Sequence, residues 1–447
     1  METLVKKDEY KISRIMYIIE ALLEYFIALG IGADYLATLA IEIGMSDALI
    51  GIIEAFVSLG ATFRIFAVLL ANKVPVKVWV TIMHVISQTF FALIWFVPLF
   101  KVSQTLKTIL LISFLLVAYV LHNLIYPAKT NMYMECVDDH KRGDFTAIKE
   151  IVSLAGAMVF TNTYGNLIQI LTDNGKKELA FVLCGIMLLV FMLGHTLTLV
   201  FAKEKVTVVR KNVSIKQTFK QVFSDKKIFL VMLVTVFYHI INYSSTPFFA
   251  SYRMKELAFS LSFVPIVTAI SSLVRMFCSK PMGKLADRFS FTTMLTVCFS
   301  FFGVAYIIMM FTVPSNGKVM YILYAIIHAI ASAGITSGML NIIYDYVSHE
   351  NRTPAIAING AMGGIMGFLA SIAVTPLVNY IQGNGNTFLG MHVYAQQVLA
   401  GIGLIGTIGL ILYNIFVVSK IKRNDDGNVV SEEVVLNENL EKIPEEI

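Results

Sequence analysis

Charge is the scarcest commodity in this 447-residue sequence: only 15% of its residues are Asp, Glu, Lys or Arg, against about 25% in an ordinary soluble chain. With 57% hydrophobic residues and a mean hydropathy of +0.74, that shortfall excludes a disordered chain and argues against two or three soluble domains. Cysteine is also scarce. Cys136, Cys184, Cys278 and Cys298 show no CxxC or Cys/His spacing, so a disulfide framework and a zinc site are excluded, and no metal is expected. Tryptophan occurs only as Trp79 and Trp95, in one apolar run, which lowers the odds of a sugar stacked on indole. There is no Walker A sequence, no HExxH and no GxSxG, which weighs against a nucleotide-driven pump and a membrane enzyme. Gly401-Ile402-Gly403-Leu404-Ile405-Gly406 fits GxGxxG on paper. It follows no strand and reads as helix packing, so no dinucleotide or other cofactor is expected.

What the sequence has in abundance is long apolar runs. Stretches able to cross a bilayer fall near 13–37, 48–71, 76–99, 106–127, 144–170 and 178–201, then near 228–251, 258–279, 291–313, 319–345, 354–381 and 392–418. Each is close to the ~20 residues that a spanning helix requires. The first run is too long for a cleavable signal and is expected to be kept. The fold class is therefore an all-α membrane protein with twelve transmembrane helices in two six-helix bundles. The expected division is 1–201 for the first bundle, 202–227 for a cytoplasmic linker with a short amphipathic stretch at 215–223, 228–418 for the second bundle, and 419–447 for an acidic tail.

The net charge of +5 is distributed in short loops and is no footprint of nucleic acid. With the N-terminus placed inside, 25 of the 35 Lys and Arg fall on the cytoplasmic side, 7 on the other, and 3 within spans. This bias places both termini in the cytoplasm of a multi-pass cell-membrane protein. The halves echo one another. Leu70-Ala71-Asn72-Lys73 parallels Leu285-Ala286-Asp287-Arg288, and Val137-Asp138-Asp139-His140-Lys141-Arg142 parallels Val347-Ser348-His349-Glu350-Asn351-Arg352. Their offsets of 215 and 210 residues nearly agree, as a duplicated six-span unit of parallel topology requires.

Gly283-Lys284-Leu285-Ala286-Asp287-Arg288 resembles the inner-loop motif of the major facilitator superfamily. The 6 + 6 layout and long central loop match that family over essentially the whole chain. Phe289-Ser290-Phe291-Thr292-Thr293 replaces the end of the motif, and Val68-Leu69-Leu70-Ala71-Asn72-Lys73 lacks the Gly and the acid in the first half. The resemblance implies a fold and alternating access between two bundles, with spans one, four, seven and ten lining a central cavity. It implies no particular substrate. Physically, Gly283 would let a neighbouring helix approach, while Asp287 beside Arg288 would close the cytoplasmic end by an ion pair or helix-terminus contact.

Ionisable groups at bilayer depth cost about 2.5–3.5 kcal/mol each by insertion scales, so they need partners or a purpose. The first span carries Glu20, Glu24 and Asp34. Glu20 and Glu24 share one helical face, and a continuous helix would put Asp34 about 40° from Glu20 and about 80° from Glu24. Three readings stay open for these acids: proton or cation coupling, permanent pairing with Arg64 or Lys149, and binding of a cationic substrate. Arg64 and Arg275 sit within spans two and eight, where each would hold an anionic substrate or pair with Glu54, Glu150 or Asp345. Neutral polar groups at helical spacing suggest cavity faces: Tyr119, His122 and Asn123 in span four, His239, Asn242 and Tyr243 in span seven before Pro247, and His328, Ser332 and Thr336 in span ten, with Asn359 in span eleven. Each alone reads equally as an interhelical hydrogen bond.

The expected function is secondary active transport of a small molecule by alternating access, coupled to a proton or sodium ion and performed by a monomer in the lipid bilayer. The alternatives are a non-transporting ligand sensor and a facilitated-diffusion or exchange carrier without ion coupling.

Overall fold

The computed structural model describes residues 9–66, 76–137, 142–204, 220, 223–346 and 352–421. Most of the amphipathic stretch, the loop motif at 68–73, most of the second echoed loop pair and the tail beyond residue 421 lie outside the described residues. Among the described residues, eleven helices are long and apolar enough to cross a membrane, and a bent pair at the start supplies a twelfth. That first span runs as Lys11–Gly30 and then Ala33–Glu42, with a 40° bend at the break. The break frees the Gly30 carbonyl, which accepts from Trp95 Nε1 at 3.2 Å and from the Tyr164 hydroxyl at 3.4 Å. Buried side-chain donors thus replace the lost helical bond.

The second span covers Asp47–Phe66 and the third Val76–Leu93 with a 3₁₀ turn over Ile94–Leu99. The fourth to sixth are Gln104–Met134, Arg142–Asp173 and Lys177–Phe201. The seventh is interrupted around Pro247, which cannot donate a helical backbone hydrogen bond: Lys226–Tyr243 gives way to a 3₁₀ turn over Thr246–Phe248 and then to Phe249–Lys255. Phe263–Arg288, Phe291–Met310, Gly317–Tyr346, Arg352–Gly383 and Ala395–Phe416 complete the set. A hairpin pairing Thr387–Phe388 with Met391–His392 joins the last two.

Side chains sort by half. One apolar cluster is built almost wholly from spans one to six around Trp95, Tyr164 and Phe181, and another from spans seven to twelve around Phe299, Phe302 and Tyr306. Phe277, Val159 and Ile405 instead point outward, as a lipid-facing surface requires. The expected close packing of the twelfth span is present: a Cβ on Gly403 would lie 2.7 Å from the Tyr306 ring, and one on Gly406 would lie 2.8 Å from Ile241.

The halves meet along a seam on the side away from the termini. Span eleven presses on span two, where a Cβ on Gly364 would sit 2.5 Å from the Ser58 carbonyl oxygen and Ser58 Oγ donates to the Gly364 carbonyl at 3.0 Å. Ser371 donates to the Gly51 carbonyl at 3.2 Å. Only glycine permits this approach, because the opposing atom is backbone and cannot swing away. Gly364→Val is therefore expected to pry the seam apart. Spin labels at Ser46 and Asn384, both exposed beyond the seam, should show a longer and broader distance distribution in that variant. An unchanged distribution would refute a seam set by backbone contact.

Candidate functional site

The acids of the first span do not stay together. Glu20 and Glu24 do share a face, and both reach Lys129 of span four: Lys129 Nζ lies 2.6 Å from an oxygen of each. Lys129 and Glu20 are 2% and 1% exposed, whereas Glu24 keeps 19%. Pairing with Arg64 or Lys149, one expected alternative, is not what the structure holds. Lys149 donates to the Tyr17 hydroxyl at 3.2 Å and lies over that ring. Arg64 Nε donates to Asn123 Oδ1 at 2.9 Å, and its guanidinium covers the Tyr126 ring at 4.9 Å. Lys129 lies two residues beyond the apolar run 106–127, so the sequence reading counts it with the loop charges. In the structure the helix continues through Pro127 to Met134 and carries the lysine inside.

Three histidines surround this ion triad. His195 Nε2 lies 3.0 Å from Glu20 Oε1, and His122 Nδ1 is 3.7 Å from Glu24. His84 packs against His195 with ring centroids 3.9 Å apart. Both nitrogens of His84, Nδ1 of His195 and Nδ1 of His122 are buried without a hydrogen-bond partner. Polar atoms left this way are costly in a core. Single histidines in apolar runs gave no sign that His84 and His195 would meet, because the contact joins spans three and six.

Asp34 goes elsewhere. The break at Gly32 invalidates the angular count for a continuous helix, and Asp34 accepts from Arg253 Nε of span seven at 2.5 Å. The Arg253 guanidinium also lies over the Tyr321 ring at 5.1 Å. Nearby, Asp47 of span two is 2.5 Å from Lys255 and accepts from Gln382 Nε2 at 2.6 Å. These contacts tie the first half to the second along the same seam. Glu256, just past the end of span seven, has its carboxyl pushed up by burial and further by the Asp47 charge. Arg253 and Lys255 read from sequence as loop charges, because span seven is one turn longer than its apolar run.

The neutral polar residues divide among separate places. Tyr119 packs edge-on against Phe91, and its carbonyl accepts from Asn123. His239 Nδ1 bonds the Thr235 carbonyl at 2.8 Å and stacks on Tyr243, while Asn359 Nδ2 donates to Thr235 Oγ1 at 2.9 Å. Asn242 accepts from Thr246 at 3.0 Å. Thr336 donates to the Ser332 carbonyl at 3.3 Å.

A cavity of about 350 Å³ lies between the halves. Its walls include Tyr25 and Asp34 from the first half and Arg275, Tyr324, His328 and Ser332 from the second. Of the residues singled out from the sequence, Asp34, Arg275, His328 and Ser332 border this cavity. Glu20, Glu24, His122, Asn123 and His239 do not line it, and Glu20 is sealed within the first half. The expectation that span four contributes to the lining fails for this cavity, while spans five and eight contribute instead. At the motif in the second half, a Cβ on Gly283 would meet nothing within 4 Å, so no helix presses on that glycine. Arg288 lies over its neighbour Phe289, and the Asp287 side chain lies outside the described residues. No group of His, Cys, Asp and Glu able to hold a metal occurs among the described residues.

The triad sets a stability prediction. Lys129→Met strands two carboxylates in the interior, and removing one partner of a buried ion pair costs about 3–5 kcal/mol. The variant should unfold at a markedly lower temperature in detergent, and adding Glu20→Gln should recover part of the loss. Equal melting temperatures for Lys129→Met and the parent protein would contradict the pairing.

Comparison with other proteins supplies the lineage. The chain resembles the crystal structure of a mutant of the nucleoside transporter NupG, with a TM-score of 0.71 at 14% identity, covering 90% of this chain and 99% of that one. It resembles an auto-inhibited POT family peptide transporter with a TM-score of 0.65 at 12% identity, covering 90% and 96%. For a D-xylose-proton symporter the TM-score is 0.61 at 13% identity, covering 90% and 97%. Comparison with curated protein sequences finds no match. The sequence matches the Major Facilitator Superfamily over residues 15–371 and again over residues 231–430. This multi-pass membrane chain belongs to the Major Facilitator Superfamily and is a transporter rather than an enzyme.

Proposed function

We propose that this protein is a proton-coupled secondary transporter that moves a small molecule by alternating access, with Glu24 as the proton-accepting group. One observation carries the coupling: a single lysine faces two carboxylates inside the membrane. With both acids ionised and the histidines neutral, the three side chains in contact hold one excess negative charge, which the Arg64 guanidinium, facing Glu24 from beyond ion-pair distance, offsets only in part; binding one proton cancels it. That difference is large where the dielectric is low. Glu20 is sealed between Lys129 and His195. Glu24 has the exposure and the looser partner, His122, so the proton goes there.

The groups facing Glu24 come from several helices: Lys129, His122 and Tyr126 from span four, Arg64 from span two, and Glu20 from its own span. His84 and His195 stand behind Glu20 from spans three and six. A neutral triad can be rearranged at smaller cost than a charged one, and this is how proton binding would be tied to motion of the first bundle. The loop charge bias supports cytoplasmic termini. On that orientation the Asp34–Arg253 and Asp47–Lys255 contacts would close the outer side, as the inward-open member of an alternating pair requires. Residues 1–201 and 228–418 would be the two rocking bodies, with 202–227 joining them and 419–447 as a cytoplasmic tail.

Glu54 offers a second place for coupling, because its Oε1 is buried without a hydrogen-bond partner. Transport in proteoliposomes separates the two. For a radiolabelled substrate found by counterflow screening, Glu24→Gln should abolish accumulation driven by an inward proton gradient and retain substrate exchange. Glu54→Gln should keep both. The reverse pattern would move the coupling to Glu54, and gradient-driven uptake in both variants would remove proton coupling from these acids.

A further inference from the structure

The two membrane-embedded arginines occupy equivalent places in the repeat. Arg64 and Arg275 are 211 residues apart, within the range of offsets that relates the two halves. Their surroundings differ. The Arg64 guanidinium is satisfied by Asn123 and by the Tyr126 ring. Among the described residues, the Arg275 guanidinium has no carboxylate, carbonyl or hydroxyl partner, although it lines the 350 Å³ cavity. It sits halfway along the 26-residue helix of span eight, where an uncompensated cation is expensive. Phe277, 72% exposed, is about 200° further round that helix, so the lipid-facing side is the opposite one.

The rest of the cavity fits a particular kind of guest. Thr268, Ser271 and Ser272 precede Arg275 at helical spacing and line the same wall, giving a stripe of hydroxyls that leads to the guanidinium. Facing them, span ten supplies Tyr321, Tyr324 and His328, with successive ring centroids 5.4 Å apart and interplanar angles of 30°. At the outer end Asp34 is already neutralised by Arg253. With His328 neutral, the cavity therefore carries one unmatched positive charge, one aromatic wall and one hydroxyl wall. Its volume is at the lower end of the range for small-molecule sites.

We infer that the cavity between spans eight and ten binds a small organic monoanion with a single flat ring, its acid group on Arg275 and its ring against Tyr324 and His328. This deepens the transporter reading above by naming the class of cargo, and it rests on that reading for the step of movement but not for binding. A carboxylate accepts two parallel N–H bonds from a guanidinium, and the ring gains dispersion and edge or offset stacking contacts.

The test uses the purified full-length protein in detergent, without any gradient, and four probes: benzoate and nicotinate, and their neutral amides benzamide and nicotinamide. Calorimetric titration should show saturable binding of at least one carboxylate, with its amide at least ~10-fold weaker, as loss of a charge-assisted contact implies. Arg275→Gln should lose that preference, and Arg275→Lys should retain part of it. Ser272→Leu, which fills the cavity while leaving the guanidinium in place, should weaken both carboxylates and guards against misfolding of the arginine variants. Amides that bind as well as carboxylates, carboxylate binding that survives Arg275→Gln, or no carboxylate binding would each overturn the inference. Arg275-dependent binding without gradient-driven uptake would uphold the site and refute the coupled-transport reading. Gradient-driven uptake of other compounds, with no carboxylate bound, would do the opposite.

Discussion

One lysine held between two glutamates governs how the first six helices are put together. Lys129 is nearly unexposed and touches carboxylate oxygens of both Glu20 and Glu24 at 2.6 Å. A lone cation there would be intolerable, and so would two lone acids. The contact ties span one to span four, and His84, His122 and His195 lie in the same polar pocket. The three side chains in contact carry two acids against one base, and the proposed coupling rests on that imbalance.

The second dependence runs across the seam. Asp34 with Arg253, and Asp47 with Lys255 and Gln382, join the halves where the glycines of span eleven let backbones touch. Both acids lie on the first two spans and both bases at the end of the seventh. The same Arg253 borders the cavity, so the closure of one side and the wall of the binding space share a side chain. In the proposed alternating access, opening this side would separate that pair. The break at Ser244–Phe248 in span seven is where the chain can yield without unwinding a whole helix.

Much of the architecture was legible in the sequence because bilayer thickness dictates element length, and the twelve apolar runs are close to the helices observed. The packing role of Gly403 followed from local chemistry. The acids of the first span were visible as a group, but their partners were not. Lys129 follows Pro127, a residue that reads as the end of a span, yet the helix passes through it. Arg253 stands just beyond an apolar run and looks like a loop charge, although it is buried against Asp34. Asp34 itself was misplaced by assuming one straight helix through Gly32. His84 and His195 each sit alone in an apolar run, and only tertiary packing brings them together. In every case the missing information was how far a helix continues, or which helices are neighbours; one-dimensional spacing encodes neither.

The central claim is that the triad takes up one proton, on Glu24. Infrared difference spectroscopy of the parent protein after a downward pH jump measures this most directly. A single protonated-carboxyl C=O band should rise, shift in deuterated water and vanish in Glu24→Gln while persisting in Glu54→Gln. A spectrum without such a band, or a band indifferent to Glu24→Gln, would contradict the account.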